Sequence, residues 1–156
     1  MDSFIEKMVD LVNNFDPVSY LPEIDTVLNW TDMFVQICIM AAPLIMLVCG
    51  LRYLILPPRE ANHEAGYRFF FGMGSVEAWR FAQLLAGIIW TLLGLGMSIA
   101  MHTINKELVL LDLMAKVNKA AVCILWEIGL ILASYFVINL TLMIRYNHRG
   151  EVRWRK

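Results

Sequence analysis

Three apolar stretches dictate most of what this chain of 156 residues can become. The first covers residues 33–56, MFVQICIMAAPLIMLVCGLRYLIL. The second covers 81–101, FAQLLAGIIWTLLGLGMSIAM, and the third 120–144, AAVCILWEIGLILASYFVINLTLMI. At 1.5 Å per residue the first extends about 36 Å as a helix, more than a hydrocarbon core of about 30 Å requires. A helix meets its own backbone hydrogen bonds in lipid, so each stretch is predicted to span as a helix. Pro43 is expected to kink the first. Composition agrees. Hydrophobic residues make up 59% of the chain and charged residues 17%, against roughly 45–50% and 25% in soluble domains.

The expected architecture is therefore an all-α integral membrane protein with three transmembrane helices. Residues 1–32 form an extracytoplasmic segment, 33–144 the membrane domain, and 145–156 a basic tail. Phe4, Met8, Leu11, Val12 and Phe15 recur at helical spacing, with Asp2, Glu6, Asp10 and Asn13 on the other side. This predicts an N-terminal amphipathic helix. Its polar face is acidic, which suits a protein surface or partner better than anionic lipid. Pro17 and Pro22 then interrupt the chain. Between spans two and three, NKELVLLDLMAKVNK is too charged to cross and is expected to lie as an interfacial helix. The N-terminus lacks the basic region and apolar core of a secretory signal.

Arginine and lysine placement sets the expected orientation. Arg59, Arg68 and Arg80 follow span one, and Arg145, Arg149, Arg153, Arg155 and Lys156 follow span three. The opposite side carries Lys7, Lys106, Lys116 and Lys119. The N-terminus is predicted outside, with the loop after span one and the tail in the cytoplasm. The tail RYNHRGEVRWRK reads as an anchor at an anionic leaflet or as a docking site for a cytosolic protein.

The loop NHEAGYRFFFGMGSVEAW, residues 62–79, is unusual for so short a connection. Pro57 and Pro58 end the preceding helix. Asn62 suits an Asx turn, and Gly66 permits positive φ or close approach. Tyr67 and the phenylalanines 69–71 suit the headgroup boundary, as does Trp79. Arg68 can stack on a ring or fork onto a carboxylate or phosphate. Ser75 is a natural N-cap, and Glu77 favours the positive end of the helix that follows. A capped turn with an aromatic belt accounts for these residues; a binding surface of Arg68, Glu77 and the rings is compatible with it.

Asn62-x-x-x-Gly66-Tyr67-Arg68, followed by Ser75-x-Glu77-x-Trp79 and on through Ala82 to Gly87, resembles the signature of the SdpI family. These are small bacterial membrane proteins best known for immunity to a secreted toxin peptide. The layout of one span, the motif loop and two further spans is similar across residues 33–144. Where the family usually follows its arginine with a Thr-Pro pair, this chain has Phe69 and Phe70, and it has one three-span unit where some relatives carry extra spans. The resemblance implies residence in the bacterial inner membrane and non-enzymatic protection against a toxin peptide. A cationic peptide could meet the acidic residues Asp10, Asp16, Glu23, Asp25 and Asp32. It also implies an alternative, ranked second, a signalling anchor that holds a cytosolic regulator at the bilayer.

Glu127 stands inside the third span, about 10 Å from the end expected for it. A carboxylate there must face protein or water, or be protonated. It is either a proton or ligand site or an interhelical contact, and as a ligand site it would fit an accessory subunit of a transporter or membrane complex. Gly87, Gly94, Gly96 and Ser98 give span two a small-residue face, and Asn139 and Thr141 can hydrogen-bond across helices. A unit this small would form a pore only as a homo-oligomer. No catalytic set, P-loop or dinucleotide fingerprint occurs, so no enzyme is expected. Cys38, Cys49 and Cys123 lie in apolar runs without metal-ligand spacing, and His63, His102 and His148 fall on both sides of the predicted membrane. No metal or cofactor is expected. The net charge of −1 gives no field for nucleic acid.

Overall fold

The computed structural model describes residues 24–58 and 66–154. Three long helices run through them: α1, Ile24–Ile55; α2, Val76–Leu108; and α3, Leu113–Arg145. A 3-10 turn, Phe70–Gly72, lies between α1 and α2. No strand occurs among the described residues; a lone antiparallel bridge joins Tyr146 to Val152. All three helices are long and apolar enough to cross a membrane. The N-terminal amphipathic helix expected over 1–15, with Asn62 and His63, lies outside the described residues.

The chain divides into two compact units, Met1–Met33 and Phe34–Lys156. Of the first, the described part is the opening of α1, where the Thr31 hydroxyl donates back to the Val27 carbonyl at 2.9 Å. The second unit holds everything that follows.

Each helix is longer than its apolar stretch. α2 starts where Ser75 caps it: the Ser75 Oγ accepts from the Ala78 amide at 3.1 Å. α3 starts at the Asp112 cap, whose carboxylate accepts from the Ala115 amide at 3.3 Å. The expected interfacial helix is not a separate element. Residues 105–108 complete α2, residues 113–119 open α3, and a turn intervenes. Asp112 caps the start of α3 just after that turn, and Glu107 pairs with Lys119 at 2.7 Å across the two helix ends. Charged residues thus extend the spanning helices instead of forming a third direction of chain.

The buried stripe of α2 follows helical spacing: Ala78, Ala82, Ala86, Met97, Met101 and Leu108. Two apolar clusters result. At the loop end, Ala78, Ala82 and Ala86 of α2 meet Ile138 and Leu142 of α3, with Tyr67 and Tyr146 closing the end. At the other end, Val35 and Ile39 of α1 meet Met101, Leu108, Ala120 and Cys123. Large apolar side chains such as Leu92, Trp126 and Phe136 point outward, as lipid-facing positions of a spanning helix do.

Helices α1 and α2 meet through glycine. A Cβ at Gly50 would stand 2.5 Å from the Thr91 amide nitrogen, and one at Gly94 would stand 2.6 Å from that of Leu47. Gly87 seats the Leu54 side chain in the same way. The small face expected on span two is therefore a helix seam. Gly96 is excluded from it, with nothing within 4 Å of an added Cβ. α1 continues through Pro43 without a break in helix.

Candidate functional site

The loop end of the bundle gathers most of the motif. Gly66 adopts φ +111°, a conformation open to glycine, and a Cβ there would strike the Trp79 ring at 2.8 Å. This lets the backbone of Tyr67 reach α2. The Tyr67 amide donates to Gln83 Oε1 at 2.8 Å, and Gln83 Nε2 donates to the Tyr67 carbonyl at 2.9 Å. One buried glutamine side chain thus satisfies both backbone groups of one loop residue, as a strand neighbour would.

The Tyr67 ring turns inward rather than toward a headgroup boundary. It is 3% exposed. Its hydroxyl donates to Asn139 Oδ1 at 2.6 Å, and the Tyr135 carbonyl lies 3.4 Å away. Trp90 meets its ring edge-on at 5.6 Å between centroids, and Tyr135 packs at the same distance. Burial pushes the Tyr67 phenol above its ordinary range, with Tyr135 and Tyr53 adding to the effect. Trp79, the ring expected where α2 enters the membrane, also turns inward. It is fully buried, and its indole N–H donates to the Pro58 carbonyl at 2.9 Å, tying the exit of α1 to the start of α2. A buried indole requires such a partner.

The tail completes this cap. Residues 146–152 fold back as a small hairpin closed by the Tyr146–Val152 bridge. Asn147 organises it: its Oδ1 accepts from the amides of Arg149 and Glu151, and its Nδ2 donates to Glu151 Oε2. Gly150 sits at φ +73° against the loop. The Ser75 hydroxyl donates to the Gly150 carbonyl at 2.7 Å while the same oxygen caps α2. A Cβ on Gly74 would meet the Gly150 amide nitrogen at 2.6 Å, so loop and tail touch backbone to backbone. The Arg145 guanidinium lies 4.1 Å over the Phe81 ring, and Tyr146 is buried beside it. Burial pushes the Tyr146 phenol up as well, opposed by Arg145.

The structure thus brings Gly66, Tyr67, Ser75, Trp79 and Asn139 together at one end. Gly87 acts separately, at the α1–α2 seam. Arg68 and Glu77 are exposed, as are Arg80, Arg149 and Arg153. Beside the cap, Tyr53, Leu54, Pro57, Pro58, Arg80 and Leu84 line an open groove of about 320 Å³. Glu127 lies apart from the cap. α3 begins at Leu113, seven residues before the expected span, so Glu127 is about 21 Å along it rather than 10 Å. It is 1% exposed, and its Oε1 is enclosed without a hydrogen-bond partner. His102 is exposed.

Two parts of the cap escape sequence reasoning. Gln83 is a lone amide in an apolar run, one turn after Trp79, and that isolation was the available signal. The tail reads as a string of cations, yet Asn147 and Gly150 have the spacing of a turn. No group of three or more His, Cys, Asp or Glu able to hold a metal occurs among the described residues. Comparison of the chain with family models, with curated proteins and with solved structures finds no match.

Proposed function

We propose that this chain is a membrane immunity protein of SdpI type, protecting a bacterial cell from a secreted membrane-active peptide without catalysis. The observation that carries the reading is the convergence of the motif. Gly66, Tyr67, Ser75 and Trp79, spaced along 14 residues of sequence, meet in one cap with Gln83, Asn139 and Gly150. That convergence supports a motif selected as a unit, not a chance string of turn residues.

The proposed orientation places the cap in the cytoplasm of the inner membrane and the N-terminus outside. Arg68, Arg80, Arg145, Arg149 and Arg153 at the cap end support it, against Lys106, Lys116 and Lys119 at the other. The acidic 1–32 segment would then face a cationic peptide arriving from outside, and the turn with exposed Leu110 and Met114 would lie in the interface.

The test is survival of a sensitive host expressing the chain, challenged with a panel of secreted membrane-active peptides. Wild type is expected to protect at matched membrane level. Neutralising Asp10, Asp16, Glu23, Asp25 and Asp32 together is expected to abolish protection. Failure of wild type against the whole panel counts against immunity.

A second reading, a membrane anchor for a cytosolic regulator, has its own support. Arg68, Glu77 and Arg149 stand exposed on a cap held by backbone contact. A soluble protein that co-purifies with the wild type but not with Arg149→Ala would favour it.

A further inference from the structure

Ile39 of α1 and Cys123 of α3 pack in one buried cluster with Met101 of α2. Toward the cap, Tyr53 of α1 packs on Trp90, Trp90 on Tyr67, and Tyr67 on Tyr135 of α3. Going from 39 to 53 in α1 and from 123 to 135 in α3 therefore leads the same way. Pro43 is one turn beyond Ile39 in that direction, and Glu127 one turn beyond Cys123. The two stand at one level of the bundle. Both are buried to within 2%. α2 presents Met97 there, also buried, and Gly94, where an added Cβ would stand 3.0 Å from the Pro43 carbonyl.

Two polar deficits coincide at this level. Proline has no amide hydrogen, so the carbonyl of Ile39 loses the donor four residues on that a helix normally supplies. Ile39 is fully buried, so water does not replace that donor. Glu127 Oε1 is enclosed and unpartnered. One group has lost its helical donor to proline; the other is a carboxyl that becomes a donor by taking up a proton.

The charged neighbours do not supply a counter-ion. On α3, Cys123 is one turn away, and Lys119, two turns away, is paired with Glu107 of α2. Lys116 is a further turn toward the same end. On α2, residues 81–105 carry no charged group except His102, which is exposed. On α1, residues 34–55 carry Arg52, exposed near the cap end, with Cys38 and Cys49 half-buried. A carboxylate in apolar surroundings at membrane depth, without a cation, is the costly state; the acid is not.

We propose that Glu127 is an intramembrane proton-binding site, a neutral carboxylic acid at neutral pH whose O–H serves the Ile39 carbonyl that Pro43 leaves free. The site takes a proton, not a metal cation. It stands independently of the immunity reading.

The test is infrared spectroscopy of the full chain in lipid vesicles at neutral pH. Wild type minus Glu127→Gln is expected to show the C=O stretch of a protonated acid that exchanges slowly in D2O. Pro43→Ala restores an amide donor to Ile39, and the acid band is expected to move toward that of a free carboxyl. Carboxylate bands in the difference spectrum would overturn the proposal. So would loss of the acid band on adding sodium at constant pH, which would make this a cation site. An unmoved band in Pro43→Ala would overturn the pairing with Ile39. Should Glu127→Gln not fold, wild type decides alone. Exposed carboxyls are ionised at neutral pH, and the absence of any slowly exchanging acid band rejects the site.

Discussion

The Tyr67 hydroxyl donates to Asn139 Oδ1 at 2.6 Å, joining the loop after α1 to α3 across 72 positions of sequence. Both side chains are buried. Removing the hydroxyl leaves a buried amide oxygen without its donor. Tyr67→Phe is expected to lower stability by about 1–3 kcal/mol, the cost of an unsatisfied buried group. Thermal unfolding in detergent, followed by circular dichroism, checks this; an unchanged midpoint would mean that the bond contributes nothing.

The same phenol sets a pH dependence. Burial holds the Tyr67 proton more tightly in the folded chain than in the unfolded one, where a tyrosine ionises near 10. Its contribution to stability is complete below about pH 10 and is lost as pH rises through the higher folded value. Wild type is expected to lose stability on the alkaline side. Tyr67→Phe, starting lower, is expected to lose less over the same pH interval. Tyr146, raised in the same direction, adds to the slope in both proteins. Parallel curves for the two proteins would contradict the assignment to Tyr67.

The α1–α2 seam tolerates no side chain at Gly94. An added methyl would stand 2.6 Å from the Leu47 nitrogen and 2.9 Å from its Cα. These are backbone atoms and cannot rotate away. Gly94→Ala is expected to cost about 1–3 kcal/mol, the range for overpacking. Gly96→Ala, two residues on and open on all sides, is expected to stay within about 0.5 kcal/mol of wild type. A matched pair of unfolding curves separates the two; equal effects would remove the seam.

Ser75 serves two partners with one oxygen. Ser75→Ala removes the α2 cap and the bond to Gly150 together. About 1–2 kcal/mol of stability is expected to go, the usual range for a lost cap. Amide hydrogen exchange should rise both at the start of α2 and in residues 146–152. A rise at α2 alone would show that the tail is held without Ser75.

The spans were readable because apolar length is a one-dimensional property and needs no knowledge of neighbours. Their true ends were not. Residues 105–119 carry enough charge to read as a surface helix, but the Asp112 cap and the Glu107–Lys119 pair let the two spanning helices absorb them. Ser75 was readable as a cap because its bond to Ala78 is local. That Tyr67 and Trp79 turn inward is not legible, because their partners, Asn139 and Pro58, lie 72 and 21 positions away. An aromatic ring looks the same in sequence whether it faces lipid or core. Glu127 was visible as an anomaly at once; its level beside Pro43 required the packing of three helices.

The contact between Gly74 and Gly150 also governs timing. Translation delivers the loop long before it delivers the tail. Until residues 146–152 emerge, the Ser75 hydroxyl has α2 to cap but no Gly150 carbonyl to meet, and the face of Gly74 stays open. Residues 146–152, made after α3, are therefore the ones that close the loop made before α2. A chain stopped after α3 would contain α1, α2 and α3 and still lack the residues that close the loop between the first two.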